Sequence, residues 1–240
     1  MTQLDIFDNI KGIMKHKLVR LSPTTGLNLF SDCPRCFWLH YNEGIHRPRG
    51  IFPSLPGGMD LVIKDYMDIY RKQGALPPEL NGKVIGKLMP DLELMNKWRN
   101  WRTGLEYEDK KIQAVLFGAL DDCLLSGKKY IPLDYKTRGS APRAGDSERY
   151  YQTQLDTYAL MLSENGYETA SYGYLLYYYP KTVKENGKVQ FHTAVVEVST
   201  DLSRAKKTFE DAVKLLHGPL PKKHSSCEYC TWNHSRNEFD

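Results

Sequence analysis

The chain has 240 residues, of which 41% are hydrophobic and 26% are charged. These values are typical of a globular protein that is long enough to build one sizeable hydrophobic core. There is no apolar run approaching roughly 18 residues and no hydrophobic segment of a secretory signal near the N-terminus, which predicts a cytoplasmic protein without a membrane span. The formal net charge of +4 is compatible with a polyanionic partner but does not identify one.

Helices and strands are predicted to alternate along the chain. Ser22, followed by a proline, is typical of a helix N-cap, and periodic apolar residues predict a second helix that follows Gly57-Gly58 and ends near Gly74. After a connector over 75–90, the sequence predicts helices over 90–104, 150–163 and 201–218, a hairpin over 111–137, and strands over 171–180 and 189–199. This order indicates an α/β fold with helices on both faces of a sheet.

The predicted hairpin sets two acids against each other beside a lysine. With a tight turn over 126–129, Asp121 lies opposite Asp134, and the period of two puts Lys136 on the same face as Asp134. Like charges that are directly opposed destabilise a sheet, so a divalent cation would compensate them. The alternative interpretation is a polar hairpin whose acids are solvated.

Carboxylate oxygens are ligands that suit hard cations such as Mg²⁺ or Mn²⁺. We expect Asp121, Asp134 and the backbone carbonyl of Tyr135 to hold this ion. Lys136 would then orient a metal-bound water and stabilise charge on a scissile phosphate.

The helix predicted after the hairpin carries two polar side chains on one face. Gln154 and Tyr158 are four residues apart, so both point in the same direction. The glutamine is suited to bind a phosphate or a base near the metal, and the tyrosine to contact the nucleic-acid backbone or stack on a nucleotide. We therefore predict that both residues bind the substrate.

Four of the five cysteines form two C-x-x-C pairs, Cys33 with Cys36 and Cys227 with Cys230. In a cytosolic protein such pairs indicate metal ligands rather than disulfides, and four thiolates suit either Zn²⁺ or a [4Fe–4S] cluster. The long separation requires the two chain ends to meet. Residues 20–50 and 218–240 are therefore predicted to form a cysteine-bearing appendage.

Taken together, these segments resemble the PD-(D/E)XK nuclease superfamily, and within it the RecB-like clade that includes AddB and the CRISPR adaptation nucleases. The matching pieces are Gly118–Asp121, Asp134–Thr137 and Gln154–Tyr158, in the order and spacing of the family, and the segment over 21–39 is similar to the start of many members. The resemblance implies a restriction-endonuclease-like fold, with a mixed central sheet flanked by helices and the chain ends joined by a four-cysteine metal site. It implies a single nuclease domain over 1–240, with its catalytic core over 110–200.

The resemblance also implies metal-dependent hydrolysis of DNA phosphodiesters. Asp121 and Asp134 would be metal ligands, Lys136 the catalytic lysine, and Gln154 and Tyr158 would lie at the substrate. We expect an exonuclease acting on single strands or duplex ends in recombination, repair or CRISPR spacer acquisition, with a helicase or a CRISPR integrase as candidate partners. The resemblance favours the iron–sulfur cluster over zinc, although many members use one early and three late cysteines for it.

One feature departs from the RecB-like pattern. Many of these nucleases have a histidine ligand on the helix upstream of the hairpin, and the helix predicted over 59–74 has none. Asp60 or Asp65 would have to substitute for it, or the site uses two acids and water. The alternative function is therefore a catalytically weak or inactive DNA-binding subunit of a larger nuclease complex.

Overall fold

The computed structural model describes residues 18–48, 50 and 54–237 of the chain. The predicted domain and appendage extend further, because residues 1–17, 49, 51–53 and 238–240 lie outside the described residues. The N-terminal segment, for which the sequence predicts no secretory signal, is among them. No helix in the described ranges is both long and apolar enough to cross a membrane.

The described residues form seven α-helices, most of them at the predicted positions. They are α1 (Asn28–Asp32), α2 (Pro34–Asn42), α3 (Ser54–Lys72), α4 (Leu92–Arg99), α5 (Asp146–Glu164), α6 (Leu202–Leu216) and α7 (Glu228–Asn237). A π-helical turn, Pro23–Leu27, leads into α1. The predicted cap is confirmed, because the Ser22 hydroxyl accepts hydrogen bonds from the backbone N–H groups of Thr25 and Gly26 at 3.3 and 3.2 Å.

Eight strands within the described ranges form two sheets. They are β1 (Val19–Leu21), β2 (Lys87–Leu88), β3 (Leu105–Asp109), β4 (Ala114–Gly118), β5 (Asp122–Ser126), β6 (Lys129–Thr137), β7 (Tyr172–Val183) and β8 (Val189–Ser199). The strand orders are β1-β4-β3 and β2-β5-β6-β7-β8. The β1–β4 and β6–β7 pairs are parallel and the others antiparallel, with α5 as the crossover from β6 to β7. The predicted mixed α/β fold is confirmed.

The hairpin register follows the prediction. Asp122 pairs with Leu133, and Ser126 pairs with Lys129 at the turn, so the same register places Asp121 opposite Asp134. The first strand of the hairpin differs from the prediction, because the chain over 111–122 is divided between β4 and β5, which belong to different sheets. The connector predicted over 75–90 contains the short strand β2, and β1 and β3 were not predicted.

Two helices begin earlier than the sequence predicts. α3 begins at Ser54 and includes Gly57-Gly58, and α5 begins at Asp146 instead of Tyr150. The first turn of α3 is exposed, so it carries no apolar periodicity. The first turn of α5 carries Asp146 and Glu148, whose negative charges are favourable at the positive end of the helix dipole.

Two large hydrophobic clusters and one smaller cluster fill the space between the helices and sheets. One cluster packs α5 and α6 on the three-stranded sheet, and it includes Leu21, Phe37, Leu116, Met161 and Phe209. The other large cluster packs α3 on the five-stranded sheet, and it includes Ile63, Met67, Leu133, Tyr174 and Leu176. The five-stranded sheet is therefore covered by α3 on one face and by α5 on the other, where Leu155 packs with Leu175 and Tyr177.

The backbones of Gly104 and Gly118 approach each other closely where β3 meets β4. A Cβ atom added at Gly104 would lie 2.2 Å from the carbonyl oxygen of Gly118, which is backbone and cannot rotate away. We predict that Gly104→Ala lowers the free energy of unfolding by about 1–3 kcal/mol, because the strands must separate to accommodate the methyl group. Chemical denaturation measures this change. The control is Gly139→Ala, at an exposed glycine with no atom within 4 Å, and an equal loss in both variants would contradict the prediction.

Candidate active site and cysteine site

The residues predicted to form the catalytic centre meet at the end of the hairpin. Asp134 and Lys136 lie on β6, on the face covered by α5, and the Lys136 ammonium forms an ion pair with the Asp134 carboxylate. Asp121 immediately precedes β5, and one of its oxygens accepts a hydrogen bond from the backbone N–H of Tyr135 at 3.2 Å. The structure therefore brings both acids and the lysine together.

Gln154 of α5 connects the acid and the lysine. Its Nε2 donates to Asp134 Oδ1 at 2.8 Å, and its Oε1 accepts from Lys136 Nζ at 3.0 Å. The same Nε2 lies 2.9 Å from the Tyr158 hydroxyl, which in turn donates to the carbonyl of Ala119 at 2.8 Å. The side chains of Gln154 and Tyr158, both predicted to bind substrate, are buried and hydrogen-bonded to protein groups. Their contacts position Asp134, Lys136 and the backbone just before Asp121.

The electrostatics of Asp134 are those of a buried acid with a second acid beside it. Its side chain is 1% exposed, and burial raises the pKa of the carboxyl group to about 7, opposed by Lys136 and reinforced by Asp121. Burial lowers the pKa of Lys136, but the charges of Asp134 and Asp121 raise it by more, so the ammonium stays protonated. Nζ also lies 4.5 Å from the centre of the Tyr151 ring, a cation–π contact that the sequence did not predict.

The donor set fits a hard divalent cation. Asp134 Oδ2 is buried, and it contacts the Lys136 ammonium in an ion pair. Asp121 places a second carboxylate beside this buried acid, and two neighbouring carboxylates favour a further cation between them. Asp121, Asp134 and the backbone carbonyl of Tyr135 are the groups that would hold a hard divalent ion such as Mg²⁺ or Mn²⁺ here.

Lys64 of helix α3 contacts the acids of this centre. Lys64 Nζ lies 2.9 Å from Asp121 Oδ1 and 2.7 Å from Asp60 Oδ2. Burial lowers the pKa of Lys64, but the charges of Asp121 and Asp60 raise it by more. Asp65 is exposed to solvent. Of the two proposed substitutes for the histidine, Asp60 is thus the one near the centre, and it is connected to Asp121 through Lys64.

Comparison with known proteins decides the family. The family model described as the PD-(D/E)XK nuclease superfamily matches residues 82–235, which is more than half of the chain. The chain belongs to the PD-(D/E)XK nuclease superfamily. Membership implies a nuclease that hydrolyses phosphodiester bonds of DNA with the aid of divalent metal ions. No protein among the curated ones matches the chain.

The matched region of this PD-(D/E)XK nuclease contains the hairpin acids, Lys136, Gln154 and the late cysteines, and it leaves out α3. Lys64 and Asp60 therefore lie outside the family match. The signal for Lys64 was present in the sequence, because it lies one helical turn after Asp60 on the helix where a histidine was expected.

A second charged cluster supports the nuclease centre from the opposite face of the sheet. Asp122 is fully buried, and Arg71 of α3 contacts both of its oxygens at 2.6 Å. Arg99, the last residue of α4, lies 2.8 Å from Asp122 Oδ2 and also donates to the carbonyl of Asp121 at 2.8 Å. The Tyr135 hydroxyl donates to Asp122 as well. The sequence did not predict this network, although Asp122 follows Asp121 and its side chain must point to the other side of the hairpin.

The four predicted cysteine ligands meet in space. Each of Cys33, Cys36, Cys227 and Cys230 offers a sulfur atom within 4.8 Å of the others, and three of the four residues are buried. The Sγ atoms are 3.7 Å apart between Cys33 and Cys230, 3.7 Å between Cys36 and Cys227, and 3.9 Å between Cys36 and Cys230. The prediction that these cysteines form one cluster is confirmed. Cys123 is buried in the core, apart from this cluster.

The spacing of the sulfur atoms tests which metal group fits. A tetrahedral ion with metal–sulfur bonds of about 2.3 Å places its thiolates ~3.8 Å apart. A [4Fe–4S] cubane holds one thiolate on each of its four irons, so its thiolates are roughly 6 Å apart. The observed distances fit a single tetrahedral ion, and the cluster would require the four side chains to move outward.

Arg47 places a positive charge beside the thiols. Its Nη2 donates to Cys227 Sγ at 3.3 Å, and its Nη1 contacts Asp32 at 2.5 Å. Burial raises the pKa of Cys227. Hydrogen bonds from the backbone N–H of Cys230 and from the thiols of Cys33 and Cys36 lower it by more, so the resulting pKa is about 7. Part of the cluster thus favours the thiolate form, which is the form that binds metal.

The buried Asp122 network gives a prediction about stability. We expect Asp122→Ala to lower the free energy of unfolding by about 3–5 kcal/mol, because it removes the shared partner of two buried arginines. Thermal and urea denaturation measure the loss. The control is Asp211→Ala, which removes an exposed ion pair with Lys207 and should change stability by less than about 0.5 kcal/mol. A similar small effect in both variants would contradict the prediction.

Proposed function

We propose that this chain is a metal-dependent deoxyribonuclease that degrades DNA from single-stranded or duplex ends. Asp121 and Asp134 would be the ligands of Mg²⁺ or Mn²⁺, together with the backbone carbonyl of Tyr135, and Lys136 the catalytic lysine. The observation that carries the proposal is the contact set of Asp134, Lys136 and Gln154 beside the opposed Asp121, inside the region that matches the superfamily.

In the proposed mechanism, each residue has a distinct task. When bound, the divalent ion supplies a Lewis acid for the scissile phosphate and lowers the pKa of the attacking water. The Lys136 ammonium, held between Gln154 and the Tyr151 ring, is the cation that stabilises negative charge developing on the phosphate oxygens. Gln154 keeps Lys136 and Asp134 at a constant separation, and Tyr158 holds the turn that presents Asp121.

The preference for DNA ends rests on the RecB-like resemblance. The early and late cysteine pairs, joined in one site, support this clade, and so does the order of the three motifs. A nuclease of this kind would act in recombination, repair or CRISPR spacer acquisition, beside a helicase or an integrase. Residues 110–200 would form its catalytic core within a single nuclease domain.

The activity is tested with the wild-type protein and with two variants, each of which replaces one lysine of strand β6. We expect Lys136→Ala to lower the cleavage rate by about 10²–10³ or more, because it removes the cation that stabilises the transition state. Lys129→Ala, at an exposed lysine at the start of β6, should cleave at the wild-type rate. The assay uses end-labelled single-stranded DNA, duplex DNA, closed circular DNA and RNA, with Mg²⁺ or Mn²⁺.

Each outcome of this assay has a defined meaning. Degradation of linear DNA with circular DNA left intact supports the exonuclease, and cleavage of circles means an endonuclease instead. Wild-type activity in Lys136→Ala would remove this lysine from catalysis. DNA binding that persists in EDTA, without products in any metal, would identify the alternative, an inactive DNA-binding subunit.

For the cysteine site, the structure and the resemblance favour different metals. The sulfur spacing of 3.7–3.9 Å supports a single Zn²⁺ ion, whereas the RecB-like resemblance implies a [4Fe–4S] cluster. We propose zinc, because the thiol spacing belongs to this chain itself. Either group would join the segment that carries α2 to the segment that carries α7.

Metal analysis of anaerobically purified protein distinguishes the two groups. We predict one zinc per chain and no broad visible absorption, and Cys227→Ser should lose most of the zinc because three thiolates bind it less tightly. Ser226→Ala is the control, since its side chain is exposed and next to the ligand. Brown protein with about four irons per chain, which bleaches on reduction, would establish the cluster and require a wider arrangement of the thiols.

A further inference from the structure

We propose that Lys64 is a fixed cation of the nuclease centre, which neutralises Asp121 in place of a second metal ion and limits the centre to one divalent ion. This inference rests on the proposed function, because it assumes that Asp121 and Asp134 bind that ion. Lys64 would act as a positioning residue, since its contacts are with the two aspartates.

The contacts of Lys64 place its charge on the acid side of the centre. Asp60 and Lys64 are one turn apart on α3, and the lysine reaches beyond Asp60 to Asp121. Its side chain is 17% exposed, so most of it is held by protein contacts. Asp121 therefore has a partner on each oxygen, with Lys64 on Oδ1 and the Tyr135 N–H on Oδ2.

Each acid of the centre thus has its own lysine. Asp134 is paired with Lys136, and Asp121 is paired with Lys64 at 2.9 Å. In two-metal nuclease sites the two ions together stabilise the attacking and the leaving oxygen, and carboxylates hold both ions. Here an ammonium that belongs to the protein already stands beside the acid that such an ion would need.

The charge balance of the centre agrees with a single ion. When Asp134 is ionised, as metal binding requires, Asp60, Asp121 and Asp134 contribute three negative charges and Lys64 and Lys136 contribute two positive charges, so the formal charge is −1. One divalent ion changes it to +1, which the single charge of a bound phosphodiester neutralises. A second divalent ion would leave an excess of two positive charges in a partly buried site, which is unfavourable.

The proposal predicts a direction that structural damage would not produce. Removal of the Lys64 charge should tighten the binding of divalent ions, because a nearby positive charge that repels them is lost. Damage to the site would instead separate the ligands and weaken binding. The direction of the change in affinity therefore distinguishes the proposed role from a structural one.

The experiment is a Mn²⁺ titration of the full-length protein with its cysteine site loaded, followed by electron paramagnetic resonance of the free ion. We expect one Mn²⁺ per wild-type chain, and at least about tenfold tighter binding in Lys64→Met, with room for a second ion. Lys64→Arg, which keeps the charge, should remain near the wild-type affinity. Lys72→Met, at an exposed lysine of the same helix, is the matched control.

Other variants separate this inference from the proposed function. Asp134→Asn should abolish Mn²⁺ binding, and if it does not, the proposed metal site itself is wrong. If Asp134→Asn loses the ion but Lys64→Met binds it with unchanged or weaker affinity, only the role of Lys64 is overturned. Two ions in the wild-type protein would overturn it as well. Lys64→Gln provides a second neutral variant if Lys64→Met does not fold.

Discussion

The geometry of the candidate active site depends on one buried acid, Asp122. This residue is fully buried and contacts Arg71 of α3, Arg99 of α4 and the Tyr135 hydroxyl of β6. A buried carboxylate is tolerated only when its partners stay in place, so both helices are held in one position against the hairpin. Because α3 also carries Lys64, and Arg99 also donates to the carbonyl of Asp121, this network helps to fix the position of Asp121 in the candidate active site.

Neighbouring acids on one strand end thus serve the two faces of the sheet. Asp121 lies among the groups that would meet metal and substrate, and Asp122 lies among arginines that are almost fully buried. Similarly, Tyr135 uses its backbone N–H for Asp121 and its hydroxyl for Asp122. The hairpin therefore joins the candidate metal-binding residues to a network in which two arginines compensate the charge of Asp122.

The sequence predicted those features that depend on local pattern. Turn chemistry and the period of two were sufficient for the hairpin register, and the C-x-x-C pairs were sufficient for the cysteine cluster. Lys64 and the partners of Asp122 could not be found in this way, because Arg71 lies 51 residues from Asp122 and only tertiary packing brings them together. The division of the segment over 111–122 into two strands was also hidden, since one continuous apolar run fits either sheet.

The separation of the cysteine pairs has a consequence for the order of biosynthesis. Cys36 and Cys227 are 191 residues apart, so a ribosome must complete nearly the whole α/β core before the late thiols exist. The early pair emerges with only two of the four ligands and must wait in reduced form while the sheets assemble. A metal held by all four thiolates could therefore bind only after the residues of the candidate active site have been synthesised.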